Sequence, residues 1–256
     1  MEAFVRAEVI HGVAEITFGT PKSNSLPGEI LERLAQTIKV QAAKEEVKAI
    51  LLKSHGEKAF CAGASFEELL EIETLEASRA FFGGFAKVLE AMRTCGKIVV
   101  VRVQGKTTGG GVGIACGADY CFATKEASLA LTEVNLGIGP FVIGPYVERK
   151  IGASQLAAMA IDAGFRSADW AARHNIYHSV SEDIASMDLA ISAFMERLVS
   201  RSPEALGFIK RMAWEGTSHF SELMPERILM SASLVLEDSA KRSIEKVKQA
   251  LGAKRK

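Results

Sequence analysis

The chain has no net charge: 31 lysines and arginines offset 31 aspartates and glutamates over 256 residues. A nucleic acid or an anionic membrane surface is held by basic excess, so neither is expected as a partner. The ending Lys254-Arg255-Lys256 is short enough to be merely solvated. Cysteine is scarce. Cys61, Cys95, Cys116 and Cys121 make no C-x-x-C spacing and have no partnered histidines, so no metal site is expected. No apolar run is long enough to cross a bilayer. The N-terminal residues hold no secretory apolar region, and the last three are not a Ser-Lys-Leu address. A cytoplasmic location with reduced thiols is therefore expected. No internal repeat and no low-complexity linker interrupt the chain. Its hydrophobic content of 48% is ample for one large domain, or one domain with a helical appendage.

The first half alternates strand and helix patterns. Phe4 to Ile10 and Val13 to Phe18 read as a hairpin across His11-Gly12, with Ala14, Ile16 and Phe18 on one face. Pro27 to Val40 is helical, its stripe being Ile30, Leu31, Leu34 and Ile38. Ile50 to Leu52 and Ile98 to Val103 are near-continuous apolar strands, as in a parallel sheet covered on both faces. Between them Leu75 to Arg93 is helical, with Phe81, Phe82, Phe85, Val88, Leu89 and Met92 on its apolar side. A helix from Val112 to Gly117 and a strand from Asp119 to Ala123 follow. This order implies β–α–β crossovers and a mostly parallel sheet, an α/β fold. From about Ser154 onward the pattern is helical only, through six segments ending with Ser239 to Leu251.

Two loops of small residues stand out. Gly109-Gly110-Gly111-Val112-Gly113 lies behind the strand Ile98 to Val103 and opens a helix. It does not fit the dinucleotide fingerprint G-x-G-x-x-G, because the third glycine falls on Ile114 or Cys116. The second loop, Gly56 to Phe66 with Cys61-Ala62-Gly63-Ala64-Ser65 at its centre, follows the strand-like Val47 to Ser54. Bare backbone after two different strands can aim two N–H donors at one developing oxyanion. Cys61 reads as a small buried hydrophobe rather than a nucleophile.

The second loop resembles the Ala-Phe-x-Ala-Gly-Ala-Asp segment of the enoyl-CoA hydratase/isomerase (crotonase) superfamily, and Gly109 to Ala115 resembles its Gly-Gly-Gly-x-x-x-Ala turn. Pro21-Lys22-Ser23-Asn24-Ser25-Leu26 is similar to the N-terminal Arg-Pro-Lys-x-Asn-Ala-Leu, and Thr132-Glu133-Val134-Asn135-Leu136-Gly137-Ile138 to the Pro-Glu-x-x-Leu-Gly segment. These matches are collinear over roughly residues 5 to 180. The resemblance implies a crotonase-like (ββα)n spiral core over residues 1–195 and a C-terminal helical trimerisation region over 196–256. In many members that helical layer reaches over a neighbouring subunit. It implies an acyl-CoA thioester as substrate, no cofactor beyond the coenzyme A the substrate carries, and a homotrimer or dimer of trimers.

The same resemblance implies roles. The N–H groups of Ala64 and Gly110 would hold the enolate oxygen of the thioester. Lys22, Ala62, Ala64, Phe66 and Gly110 would line the coenzyme A site, Lys22 toward a phosphate. Hydratases resemble one another in carrying two glutamates, one four residues into the glycine turn's helix and one in the Pro-Glu segment. Here the first position is Gly113 and the second is Glu133. One carboxylate suffices to move a proton from C2 to C4 but is a poor basis for positioning water. The segment Thr132 to Phe141 also resembles the Asn-Glu-Thr-Gln-Leu-Gly-Ile…Pro-Phe stretch of Δ3,Δ2-enoyl-CoA isomerases. Isomerisation by Glu133 is therefore the expected chemistry, with hydration or a non-catalytic acyl-CoA binder as alternatives. Burial against Leu131, Val134 and Phe141 is expected to raise the pKa of Glu133.

Overall fold

The computed structural model describes residues 2–253, and the side chains of residues 2–250. Strands β1 (Phe4–Ile10) and β2 (Val13–Gly19) form the expected antiparallel hairpin across His11-Gly12. Then come α1 (Gly28–Ala42), β3 (Ala49–Ser54), β4 (Ala59–Cys61), α2 (Phe66–Leu70) and α3 (Leu75–Thr94). Next are β5 (Ile98–Val103), β6 (Lys106–Thr108), α4 (Gly110–Gly117), β7 (Tyr120–Thr124) and β8 (Ser128–Ala130). A 3-10 turn over Glu133–Leu136 precedes α5 (Gly144–Asp162), β9 (Arg166–Ser167), α6 (Ala168–Arg173) and β10 (Ser179–Ser181). Four helices close the chain: α7 (Ile184–Val199), α8 (Pro203–Ala213), α9 (Phe220–Leu234) and α10 (Asp238–Ala253).

The strands form two sheets. The larger has the order β1-β2-β3-β5-β7-β10 and is parallel except for the hairpin. The smaller has the order β4-β6-β8-β9, with β4, β6 and β8 parallel. Three successive strand pairs thus each give their first member to the large sheet and their second to the small one. Burial follows the expected patterns. Ala14, Ile16, Phe18, Ile50, Leu52, Val99 and Val101 share a core with the apolar stripes of α1 and α3. On the opposite face Leu51, Val100 and Phe122 pack with Met187, Ile191 and Met195 of α7. Helices on both faces explain why β3 and β5 read as continuous apolar runs. No described helix is long and apolar enough to cross a membrane.

Several expectations need correction. The C-terminal part is not helical only: β9 and β10 interrupt it, and β10 extends the large sheet by pairing with β7. At two and three residues they are too short to show a strand period. Helix α4 starts at Gly110, not Val112. Helix α5 starts at Gly144, ten residues' span before the expected Ser154, and breaks at Gly152 with φ 77°. Gly144-Pro145 resembles a turn in sequence, yet proline is well suited to a first helical turn.

A buried ion pair ties the helical layer to the sheet. Lys210 Nζ on α8 lies 2.9 Å from Asp119 Oδ2 and donates to Met92 O (2.6 Å) and Lys97 O (2.7 Å). Asp119 also accepts from Val99 N (2.8 Å) and Trp214 Nε1 (2.7 Å). The two side chains are 2% and 9% exposed, so the desolvation is offset only while both remain. Asp119→Ala strands the ammonium and is expected to lower unfolding free energy by about 3–5 kcal/mol in urea denaturation. A loss below about 1 kcal/mol, the range of a surface pair, would contradict this role.

Candidate active site

The small sheet delivers the expected site residues. Its parallel strands β4, β6 and β8 lie side by side, with Cys61 opposite Thr107 and Thr108 opposite Ala130. Ala64, Gly110 and Glu133 each follow the C-terminal end of one of them, on neighbouring tracks roughly 5 Å apart. The two glycine-containing loops therefore leave small-sheet strands, not the large-sheet strands β3 and β5 as their sequence positions suggest.

The Ala64 loop is held by the segment Lys22–Leu26. Leu26 N donates to Gly63 O (2.8 Å), Ser65 N to Leu26 O (3.0 Å) and Ala62 N to Ser23 O (3.2 Å). Ser25 Oγ donates to Ala64 O (2.9 Å), and Asn24 Nδ2 reaches His55 O and Ala59 O. This lattice uses the peptide groups around Ala64 and leaves its N–H without a protein acceptor among the described residues. Gly110 N–H, at the first turn of α4, also lacks one. Gly109 takes φ 53° with ψ −122°, a conformation that suits glycine. Cys61 packs beneath Gly111 and is fully buried, its thiol pushed up to about 12 by desolvation. It is a packing residue, as expected.

Both loops open on one cavity of about 960 Å³. Lys22, Ala62, Ala64, Phe66, Gly110 and Glu133 all line it, so every expected site residue is gathered there. Its walls are mainly apolar, with Leu69, Phe81, Phe82, Phe85, Ile138, Val142 and Ile143. Lys22 forms an ion pair with Glu67, both about half exposed. His55, His174 and His178 lie outside the cavity. The C-terminal helices close the cavity of their own chain through Ser231 of α9 and Val247 and Lys248 of α10. Helix α10 rests on the 3-10 turn, where a Cβ at Gly137 would come within 2.7 Å of Ala240 Cα.

Glu133 is half-buried, and among the described residues it is the acid of this wall with a fully shielded carboxyl oxygen. Its Oε2 is out of reach of water and has no hydrogen-bond partner. Its Oε1 lies against Gly109, 3.3 Å from where a Cβ would stand. Burial pushes its pKa up to about 7, outweighing the N–H groups of Glu133 itself and Thr132, which favour the charged form. The neighbours differ in part from expectation: Leu131 is buried, but Val134 is 45% exposed. Thr108, Thr132, Asn135 and Ile143 also line the cavity and were not foreseen as site residues. Thr132 and Asn135 lie inside a recognisable motif, whereas nothing in the sequence signals Ile143.

Gly113 does not line the cavity. A Cβ there would fall 2.6 Å from Ile143 Cγ2 and 2.9 Å from its Cβ. Glutamate at 113 would have no room without displacing Ile143, so that single change cannot simply supply a second acid.

A family model described as enoyl-CoA hydratase/isomerase matches residues 8–252. The short-chain-enoyl-CoA hydratase of Clostridium acetobutylicum is 31% identical over 202 residues, covering 78% of this chain and 76% of that protein. A carnitinyl-CoA dehydratase of Citrobacter koseri is 29% identical over 226 residues, 88% of this chain and 85% of its own length. The crystal structure of an enoyl-CoA hydratase from Bacillus halodurans superposes with a TM-score of 0.88 at 18% identity, over 94% of this chain and 98% of that one.

The raised pKa of Glu133 couples stability to pH. With a folded value near 7 and an ordinary value of 4.5, the native state binds the extra proton between those limits. Stability contributed by the protonated form is complete below about pH 4.5 and is lost as pH rises through 7. The loss is on the order of 3 kcal/mol. Glu133→Gln has no such titration. Its unfolding free energy relative to the parent is expected to rise by that order between pH 4.5 and pH 8, measured by urea denaturation. A difference that does not change with pH would show that Glu133 is not desolvated.

Proposed function

The chain belongs to the enoyl-CoA hydratase/isomerase family, and we propose that it is an isomerase, shifting the double bond of a 3-enoyl-CoA to the 2 position. One observation carries the reading: among the described residues Glu133 is the only titratable side chain on the cavity wall with a water-shielded carboxyl oxygen and a pKa raised by desolvation. The other ionisable lining groups are the half-exposed Lys22, Glu67 and Lys248. A single partly shielded carboxylate suits a reaction that returns the proton it takes.

In this reading the thioester oxygen lies between the N–H groups of Ala64 and Gly110. As the ionised Glu133 removes a proton from C2, the electron pair moves into the carbonyl and charge develops on that oxygen. Preorganised donors meet it, each worth roughly 10²–10³ in rate. The dienolate collapses, C4 takes the proton back from Glu133, and nothing is added or lost. A pKa near 7 suits a group that must serve as both base and acid. Ala62 and Phe66 border the coenzyme A arm, and Lys22 exchanges Glu67 for a phosphate. The reaction uses no metal and no cofactor beyond the coenzyme A of the substrate. Assembly as a homotrimer or dimer of trimers belongs to the same proposal. Leu229 and Leu234 of α9 and Phe208 and Met212 of α8 are exposed and favour it.

Hydration of 2-enoyl-CoA is the second reading, favoured by relatives named as a hydratase and a dehydratase. Parallel assays with 3-enoyl-CoA and 2-enoyl-CoA separate the two. The expected result is conversion of the first to 2-enoyl-CoA with little 3-hydroxyacyl-CoA from either. The rate should rise with pH to a plateau, with its inflection near 7 in free enzyme, because the base must be ionised. Glu133→Gln should lower isomerisation by roughly 10²–10⁴ while acyl-CoA binding survives. Efficient hydration that is indifferent to Glu133→Gln would refute the proposal.

A further inference from the structure

We infer that Ile143 determines which reaction this site performs, by keeping water away from the carbons that face Glu133. The inference rests on the isomerase reading and adds the residue responsible for it. Two glycines one helical turn apart mark the geometry. Glu133 Oε1 stands over Gly109, at the start of α4, and the Ile143 side chain stands over Gly113, whose N–H bonds back to Gly109 O. That bond spans one helical turn, about 5.4 Å along the axis. The acid and the aliphatic group therefore occupy adjacent seats along α4, one turn apart, and both border the cavity.

Ile143 is held tightly in that seat. It is 3% exposed, and a Cβ at Gly113 would meet its Cγ2 at 2.6 Å and Leu89 Cδ1 at 3.4 Å. Its own backbone is the N-cap of α5, and Val147 N donates to its carbonyl at 3.1 Å. The side chain thus comes from a different element than α4, through a contact between residues thirty positions apart that no local motif records.

A water that adds to C3 must be held by at least two polar partners and aimed at the carbon. In the adjacent seat this chain offers a sec-butyl group, which neither donates nor accepts. Glu133 alone can bond such a water but cannot fix its direction. With the seat apolar, the acyl carbons pack against Ile143 and only the proton shuttle by Glu133 remains. Ile143 is a specificity residue that acts by exclusion; it takes no part in proton transfer.

The test compares Ile143→Val with Ile143→Thr. These differ by a methyl against a hydroxyl at nearly equal volume, so packing loss is common to both and only the hydroxyl distinguishes them. Each variant and the parent are assayed with 3-enoyl-CoA and 2-enoyl-CoA of one chain length, and the ratio of hydration to isomerisation is read. Ile143→Thr is expected to raise that ratio at least about tenfold over Ile143→Val, the scale of one hydrogen bond in a transition state. Ile143→Val should keep the parental ratio even if its overall rate falls. An equal ratio in all three proteins, with the parent isomerising, would overturn the inference and leave the isomerase reading intact. A parent that hydrates and does not isomerise would overturn the reading itself, whatever the variants do. Should Ile143→Thr lose the fold, Ile143→Ser measured against Ile143→Ala gives the same hydroxyl comparison.

Discussion

Everything at this site depends on the pairing of three very short parallel strands. β4, β6 and β8 hold at most three residues each, yet their register places Ala64, Gly110 and Glu133 at adjacent strand exits. Strands this short have little stability of their own, and the large sheet and its helices position them. Each is joined to a longer, mostly buried neighbour one step earlier in the chain: β4 to β3, β6 to β5 and β8 to β7. Hydrophobic burial in the large sheet thus sets distances in the small one. The close contacts of Gly111 with Cys61 and of Gly109 with Glu133 then fix the loops against each other to within a van der Waals radius.

The site also shows where the fold accepts a local cost. A carboxyl oxygen without a hydrogen-bond partner is unfavourable in a buried wall, and it raises the pKa of Glu133 to about 7. The unused N–H groups of Ala64 and Gly110 are a second local deficit. Ala64, Gly110 and Glu133 all line one cavity with mainly apolar walls, and in the proposed reaction they supply two donors and one base to a bound thioester. The surrounding lattice of Asn24, Ser25 and Leu26 holds the Ala64 loop in place.

Much of this was legible in the sequence, for physical reasons. The alternation of Ala14, Ile16 and Phe18 and the continuous run Ile98 to Val103 report burial on one face or on two, and both patterns hold. The small residues around Ala64 and Gly110 announce exposed backbone, and Glu133 stands out as an acid inside a motif. Other features leave no local trace. A three-residue strand such as β6 has no period, which is why the glycine turn reads as following β5 directly. Gly144-Pro145 looks like a turn but opens α5, because only the tertiary packing of Tyr146 and Val147 extends the helix so far back. The seat filled by Ile143 is a contact between distant segments, and Gly113 in the sequence shows only that something is absent there.

The central claim is that one partly shielded carboxylate both takes and returns the proton. The most direct measurement is single-turnover conversion of a 3-enoyl-CoA deuterated at C2, in ordinary water, with the position of the label read by NMR or mass spectrometry. A shuttle through Glu133, whose Oε2 is shielded from water, predicts 2-enoyl-CoA as the first product with deuterium carried over to C4. A 3-hydroxyacyl-CoA as first product, with no deuterium at C4, would contradict the account.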